Sequence, residues 1–168
     1  HLPWFNIQQS FPESSEITIE SLLTHTSGLP RESDFPYWTA PEFKTPTRQQ
    51  MIEKLPTQKT LYPVSAHYEY SNLGMVLAGE IVAARSGESY AEYVQHNILS
   101  PLELQDTSSV MPEGEQRQRL ATGYSSRNSA GERQQLPEFT ARAITAAGGF
   151  RSTVEDLSRL MFWQFRQL

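Results

Sequence analysis

Among the residues of this chain that can do chemistry, Tyr70 and Asn72 have the most informative setting. They open the strongest helical pattern, in the run Tyr70-Ser71-Asn72-Leu73-Gly74. A phenol can exchange a proton, and a primary amide offers both an N–H donor and a carbonyl acceptor, so the pair can move a proton while holding a polar partner. Tyrosine is a poor base by default. With an ordinary pKa near ~10 it is protonated at neutral pH, and it serves as a base only where cations or dipoles stabilise the phenolate. The positive end of a helix starting at Asn72 supplies about 0.3–1 kcal/mol toward that, well short of what is required. On spacing alone the plainer reading leads: a half-buried aromatic, an N-cap at Ser71 or Asn72, and a small residue at Gly74.

The other reactive residues offer no second route. The chain has no Cys, which removes thiolate catalysis, disulfides and zinc-thiolate sites together. Lys44, Lys54 and Lys59 are preceded at three residues' distance by Pro41, Met51 and Pro56, so no serine stands one helical turn before a lysine. There is no G-x-S-x-G elbow, no H-E-x-x-H and no close His/Asp grouping, so neither a different serine nucleophile nor a metal site is expected, and no cofactor is implied. His25 reads as a residue that caps carbonyls or packs, and no chemistry is assigned to it. His67 reads as a solvated loop histidine that could line a cleft. Phe35, Tyr37 and Trp38 either contact substrate or cover a core edge, and Gly148-Gly149 either borders a site or turns the chain.

Composition narrows the class. At 168 residues, 38% hydrophobic and 11% aromatic, the chain can bury a core, and its net charge of -5 is spread without the basic stripe that nucleic acid demands. No apolar run approaches the roughly 20 residues of a membrane span. The lack of Cys leaves the compartment open.

Positioning the candidate pair requires helices. Thr18 caps a short helix over 19–25 that Gly28 and Pro30 terminate. Residues 31–46, with Pro36, Pro41 and Pro46, read as a long surface loop. Thr47 and Gln50 form a capping box for a helix stopping near Leu55, before Pro56. From Asn72, the residues Leu73, Val76, Leu77, Ile81 and Ala84 share an apolar face, with Gly87 just past the end. Ser89 and Glu92 cap a further helix with Tyr90, Tyr93, Val94 and Ile98 on its apolar face, ending before Pro101. A one- or two-turn helix is expected over 113–119, a short extended piece over 120–124, and disorder over 125–135. After a tight turn at Gly148-Gly149, Ser152 and Glu155 cap a last helix whose apolar face carries Val154, Leu157, Leu160, Met161 and Phe165.

Three segments together resemble the penicillin-binding and class C β-lactamase-like serine hydrolases: residues 17–30 (ITIESLLTHTSGLP), Tyr70-Ser71-Asn72-Leu73-Gly74 with its helix running on to Pro101-Leu102, and residues 146–157 (AAGGFRSTVEDL). Their order and separation match as well. Members need an S-x-x-K pair, a Y-x-N or S-x-N element, and a K-T-G or H-x-G strand. Only the second is here: Lys44-Thr45 runs into Pro46, and His25-Thr26-Ser27-Gly28 has one residue too many.

The resemblance implies a mainly α fragment with long loops, the helical lobe of a β-lactamase/transpeptidase-like α/β fold whose sheet is largely missing. Residues 1–168 are then a single fragment, with the S-x-x-K helix expected upstream of His1 and most of the sheet downstream of Leu168. It implies an acyl-enzyme hydrolase acting on an amide or ester bond of a small-molecule or peptide substrate, with Tyr70 exchanging protons with an absent serine and Asn72 orienting partners. It also suggests a bacterial periplasmic or extracytoplasmic setting. The fragment alone is expected to be inactive, and to self-associate through an apolar face that a sheet would cover. One departure concerns the turn before the Y-x-N element, where many relatives carry Pro-Gly and this chain has Tyr62-Pro63-Val64-Ser65, without a glycine to take positive φ. The alternative is a non-catalytic helical binding or scaffolding module.

Overall fold

Side-chain caps decide where the helices begin. The computed structural model describes residues 1–39 and 42–168, so Pro41 of the long loop lies outside the described residues. Thr18, Thr47, Ser71 and Ser89 each accept a hydrogen bond from the backbone N–H three positions on, starting α1 (Ile19–Leu23), α2 (Arg48–Lys54), α3 (Asn72–Ser86) and α4 (Tyr90–Val94). Three more helices follow: α5 (Gly114–Gln118), α6 (Thr145–Gly148) and α7 (Val154–Phe165). Among the described residues, extended segments meet only in isolated bridges, Gln8 with Lys59, Ser108 with Arg151 and Tyr124 with Gln135. The chain is therefore the mainly helical, sheet-poor lobe that its sequence implies. Among the described residues no helix is long and apolar enough to cross a membrane.

Helix α3 is the axis of the lobe, with α1, α4 and α6 packed against it. Leu73, Val76 and Leu77 bury its inner face against Leu22 of α1, Met51 of α2 and Ile144. Each such side chain contributes about 1.5–3 kcal/mol by leaving water. Arg48 ties the periphery to this axis: its guanidinium meets the Glu80 carboxylate at 2.7 Å and lies 5.4 Å from the Trp4 ring centroid. A second cluster, Val94, Leu99 and Leu104 with Phe150 and Leu160, holds α4 and α7 together.

Several expectations need correction. Helix α1 ends at Leu23, and the chain reverses at His25, which takes φ 58°, rather than at Gly28. Tyr37 of the long loop is a core residue at 1% exposure, and Phe35 packs beside it, so this loop is only partly a surface feature. Helix α2 does stop where Pro56 implies, at Lys54 with Leu55 as its C-cap, and a 3-10 turn, Leu55–Thr57, follows it. Ala84 is exposed, and Ile98 points outward because α4 runs into a π-helical turn, Gln95–Leu99, whose wider turn brings Leu99 into the core instead.

The C-terminal half departs further. The expected disorder over 125–135 is a hydrogen-bonded hairpin: Ser125 N–H donates to Gln134 O, and the Asn128 side chain accepts from Ala130 and Glu132 amides to close the turn. Gly148-Gly149 ends α6 rather than forming a free turn, and a methyl at Gly149 would stand 2.7 Å from Thr145 Cα. Thr153, not Ser152, caps α7; the Ser152 hydroxyl pairs with Thr107 at 2.7 Å. Leu160 packs inward, whereas Val154, Leu157, Met161 and Phe165 of the same helix stay exposed, as does Phe162.

Candidate active site

Two segments of chain clasp the start of α3. On one side, His25–Gly28 receives backbone hydrogen bonds from the stretch leading to Tyr70: Leu61 N–H to Gly28 O, Ser65 N–H to Thr26 O and Glu69 N–H to His25 O, each 2.8 Å. Ser65 takes φ 65°, so the turn lacking glycine reaches the left-handed region on a serine, held there by its bond to Thr26. On the other side, Pro30, Arg31 and Glu32 run in register with Ser71, Leu73 and Asn72. Ser71 Oγ donates to Pro30 O at 2.7 Å, Leu73 N–H to Arg31 O at 3.2 Å, and Asn72 Nδ2 to Glu32 Oε1 at 2.7 Å.

The two residues singled out by the sequence are brought together. Tyr70 Oη donates to Asn72 Oδ1 at 3.0 Å; the tyrosine is 38% exposed, whereas Asn72 is 4% exposed. Ser71 is fully buried and serves as the N-cap, its Oγ accepting from Gly74 N–H at 2.9 Å. Tyr70 thus lies just outside the positive end of α3, with part of its side chain on the surface. Gly74 needs no steric explanation, because a methyl there would meet the nearest atom at 3.5 Å, an ordinary contact.

Three neighbours complete the setting, and sequence reasoning gave none of them a place beside the pair. The His25 ring lies 4.6 Å from that of Tyr70, and its Nδ1 accepts from Ser71 N–H at 3.2 Å. It is a packing and hydrogen-bonding residue, as its position near a helix end implies. Arg31 holds its guanidinium carbon 5.1 Å from the Tyr70 ring centroid, a cation–π contact. Glu32 gathers partners: besides Asn72 it accepts from Trp38 Nε1 at 2.7 Å and from Tyr37 Oη, and it forms an ion pair with Arg31 Nε at 3.4 Å. Burial, reinforced by the bond to Glu32, pushes the Tyr37 phenol well above the usual tyrosine range. No spacing rule points to Glu32, since its partners lie both beside it and 40 residues away.

The remaining candidates lie apart from Tyr70. His67 is exposed and packs against Tyr62 in a tilted contact, with ring centroids 4.9 Å apart. Gly148 and Gly149 line a groove of about 760 Å³ whose walls include neither Tyr70 nor Asn72. Phe139 of that groove stacks on Trp38 at 5.5 Å. Among the described residues no group of His, Asp or Glu could hold a metal ion.

The family model for Beta-lactamase matches residues 1–168. The chain belongs to the β-lactamase family. It is 34% identical over 145 residues to the D-alanyl-D-alanine-carboxypeptidase/endopeptidase AmpH of Escherichia coli, an alignment covering 86% of this chain and 35% of that protein. In structure it resembles the β-lactamase/D-alanine carboxypeptidase from Yersinia pestis, with a TM-score of 0.75, 29% identity, and coverage of 95% of this chain and 42% of that one. It also resembles the D-amino acid amidase from Ochrobactrum anthropi, with a TM-score of 0.73, 29% identity, and 94% and 44% covered. The chain spans less than half the length of these β-lactamase relatives.

Proposed function

We propose that the chain is the helical lobe of a serine hydrolase that opens an amide bond through an acyl-enzyme, its substrate a D-amino-acid peptide, amide or β-lactam. The observation carrying this reading is the Tyr70–Asn72 pair: a half-exposed phenol hydrogen-bonded at 3.0 Å to a buried amide at the start of α3. Serine's hydroxyl hardly ionises at neutral pH, so attack on a carbonyl needs a base at the oxygen as it bonds to carbon. In this reading Tyr70, as a phenolate that neighbouring cations must stabilise, takes that proton and returns it to the leaving nitrogen, while Asn72 steers the partners of the reaction. The serine itself is not among these 168 residues, which hold no S-x-x-K. The relatives named above, a carboxypeptidase and an amidase of D-amino acids, support the choice of an amide substrate.

Two consequences belong to this reading. The 168 residues alone turn over neither nitrocefin nor p-nitrophenyl acetate, and the exposed apolar side chains of α7 drive their self-association. The test uses the full product of the gene with a fluorescent penicillin that forms a covalent adduct stable on a denaturing gel. The expected result is a labelled band, weakened on the order of a hundredfold or more in Tyr70→Phe. A full product that neither labels nor cleaves D-alanyl-D-alanine peptides, or a Tyr70→Phe variant that labels as fast as the parent, overturns the proposal.

A further inference from the structure

We infer that Glu32 is a positioning residue that dictates which way the Asn72 amide faces, and through it which side of the Tyr70 hydroxyl is left open. Donors and acceptors decide the orientation, and its bearing on catalysis rests on the hydrolase reading above. A carboxylate has no hydrogen to give. Of the two ends of the Asn72 amide, only Nδ2 can therefore face Glu32 Oε1 at 2.7 Å, and this turns Oδ1 toward Tyr70 Oη at 3.0 Å. Facing an acceptor, the phenol must donate its hydrogen, and its oxygen lone pairs are left free to accept a hydrogen bond from another donor. With the amide reversed, Nδ2 would occupy one of those lone pairs, and Oδ1 would abut the Glu32 carboxylate, acceptor against acceptor.

Glu32 is itself held rigidly enough to set this orientation. Trp38 Nε1, Tyr37 Oη and Arg31 Nε converge on its carboxylate, and its main-chain carbonyl accepts from Gln58 Nε2 at 3.0 Å. The flanking bonds from Ser71 to Pro30 and from Leu73 to Arg31 keep residues 30–32 alongside the start of α3. The carboxylate thus has one arm on buried aromatic structure and one on the Asn72 amide. A glutamine in its place would break the logic, because its amide can give as well as accept and would permit either orientation of Asn72.

The test measures orientation and chemistry separately in the full product of the gene. Proton–nitrogen spectra with labelled asparagine follow the Asn72 side-chain amide, assigned by its loss in Asn72→Ser, and the rate of acylation by fluorescent penicillin follows catalysis. In Glu32→Gln the Asn72 amide protons are expected to shift, and acylation to slow on the order of a hundredfold while penicillin binding changes much less. Glu32→Asp, which keeps an acceptor-only group, recovers part of the rate. Tyr37→Phe, which removes a donor on the far oxygen but keeps the acceptor-only carboxylate facing Asn72, is expected to slow acylation less than Glu32→Gln does. If Glu32→Gln unfolds the protein, combining it with Tyr37→Phe removes the buried phenol that then lacks its carboxylate, and the same two measurements are made on the pair. Unchanged Asn72 resonances in Glu32→Gln, or acylation as fast as the parent, overturns the inference. A parent that is never acylated defeats the hydrolase reading, while the Asn72 spectrum still decides whether Glu32 sets the amide.

Discussion

Replacing Gly28 by alanine tests how the two clasping segments are held, and Gly87 supplies the control. Both glycines have positive φ, 71° and 79°. An alanine in that region costs about 1–2 kcal/mol, offset by about 0.4–1 kcal/mol through a less free unfolded chain. At Gly87 nothing lies within 4 Å of an added Cβ, so Gly87→Ala should lose only the difference, about 1 kcal/mol. At Gly28 the same atom would stand 2.0 Å from the main-chain oxygen of Tyr62. Relief requires that backbone to retreat by about 1 Å, beside the Leu61 N–H bond to Gly28 O at 2.8 Å. Losing that bond adds about 1 kcal/mol, and overpacking next to fully buried Leu29 adds about 1–3 kcal/mol. Gly28→Ala is therefore expected to cost about 3–5 kcal/mol, a fall of roughly 10 °C in Tm. Urea denaturation followed by circular dichroism gives both values. Equal losses in the two variants would refute the steric part of the argument, and with it the close docking of the turn that leads to Tyr70.

Two further predictions concern the same region. Ser71→Ala removes a cap and leaves the Pro30 carbonyl and Gly74 amide without partners in a fully buried place, for a loss of about 2 kcal/mol. Ser89→Ala, an exposed cap without a distant partner, should lose less than half as much in the same denaturation series. The Tyr37 phenol, raised by burial and by its bond to Glu32, keeps its proton in the folded chain above the pH where the unfolded chain gives its own up. Its contribution is thus complete below about pH 10 and erodes as pH rises further toward the folded value. Urea midpoints from about pH 8 to about pH 11 should fall steeply in the parent and less steeply in Tyr37→Phe. Parallel curves would show that Tyr37 is not the group being titrated.

Much of the fold and part of the site could be read in the sequence, because both rest on local chemistry. A serine or threonine just ahead of a helix can cap it through the backbone amide three positions on, and Thr18, Thr47, Ser71 and Ser89 all do so. Gly87 ends α3 because only a residue without Cβ reaches that φ without strain. Locality also keeps Tyr70 and Asn72 together, since two residues at a helix start are neighbours in any fold, whereas their choice as a reactive pair came from the resemblance carried by the flanking segments. Shifts of a single residue escaped, as at Thr153 in place of Ser152, where Thr107 draws the other hydroxyl away. So did the π-helical turn that exchanges Ile98 for Leu99, which no 3.6-residue periodicity anticipates.

Long-range partners were decided by tertiary structure alone. Glu32 reaches Asn72 because residues 30–32 run beside residues 71–73, a register set by bonds from Ser71 to Pro30 and from Leu73 to Arg31. His25 meets Tyr70 only because the chain turns back on a left-handed histidine, and Tyr37 joins the core only because a proline-containing loop folds inward. The amino-acid order by itself determined which residues cap, turn and form apolar faces, since those outcomes depend on neighbours a few bonds away. Which carboxylate steadies which amide depends on how distant segments align, and packing around α3 settles that alignment.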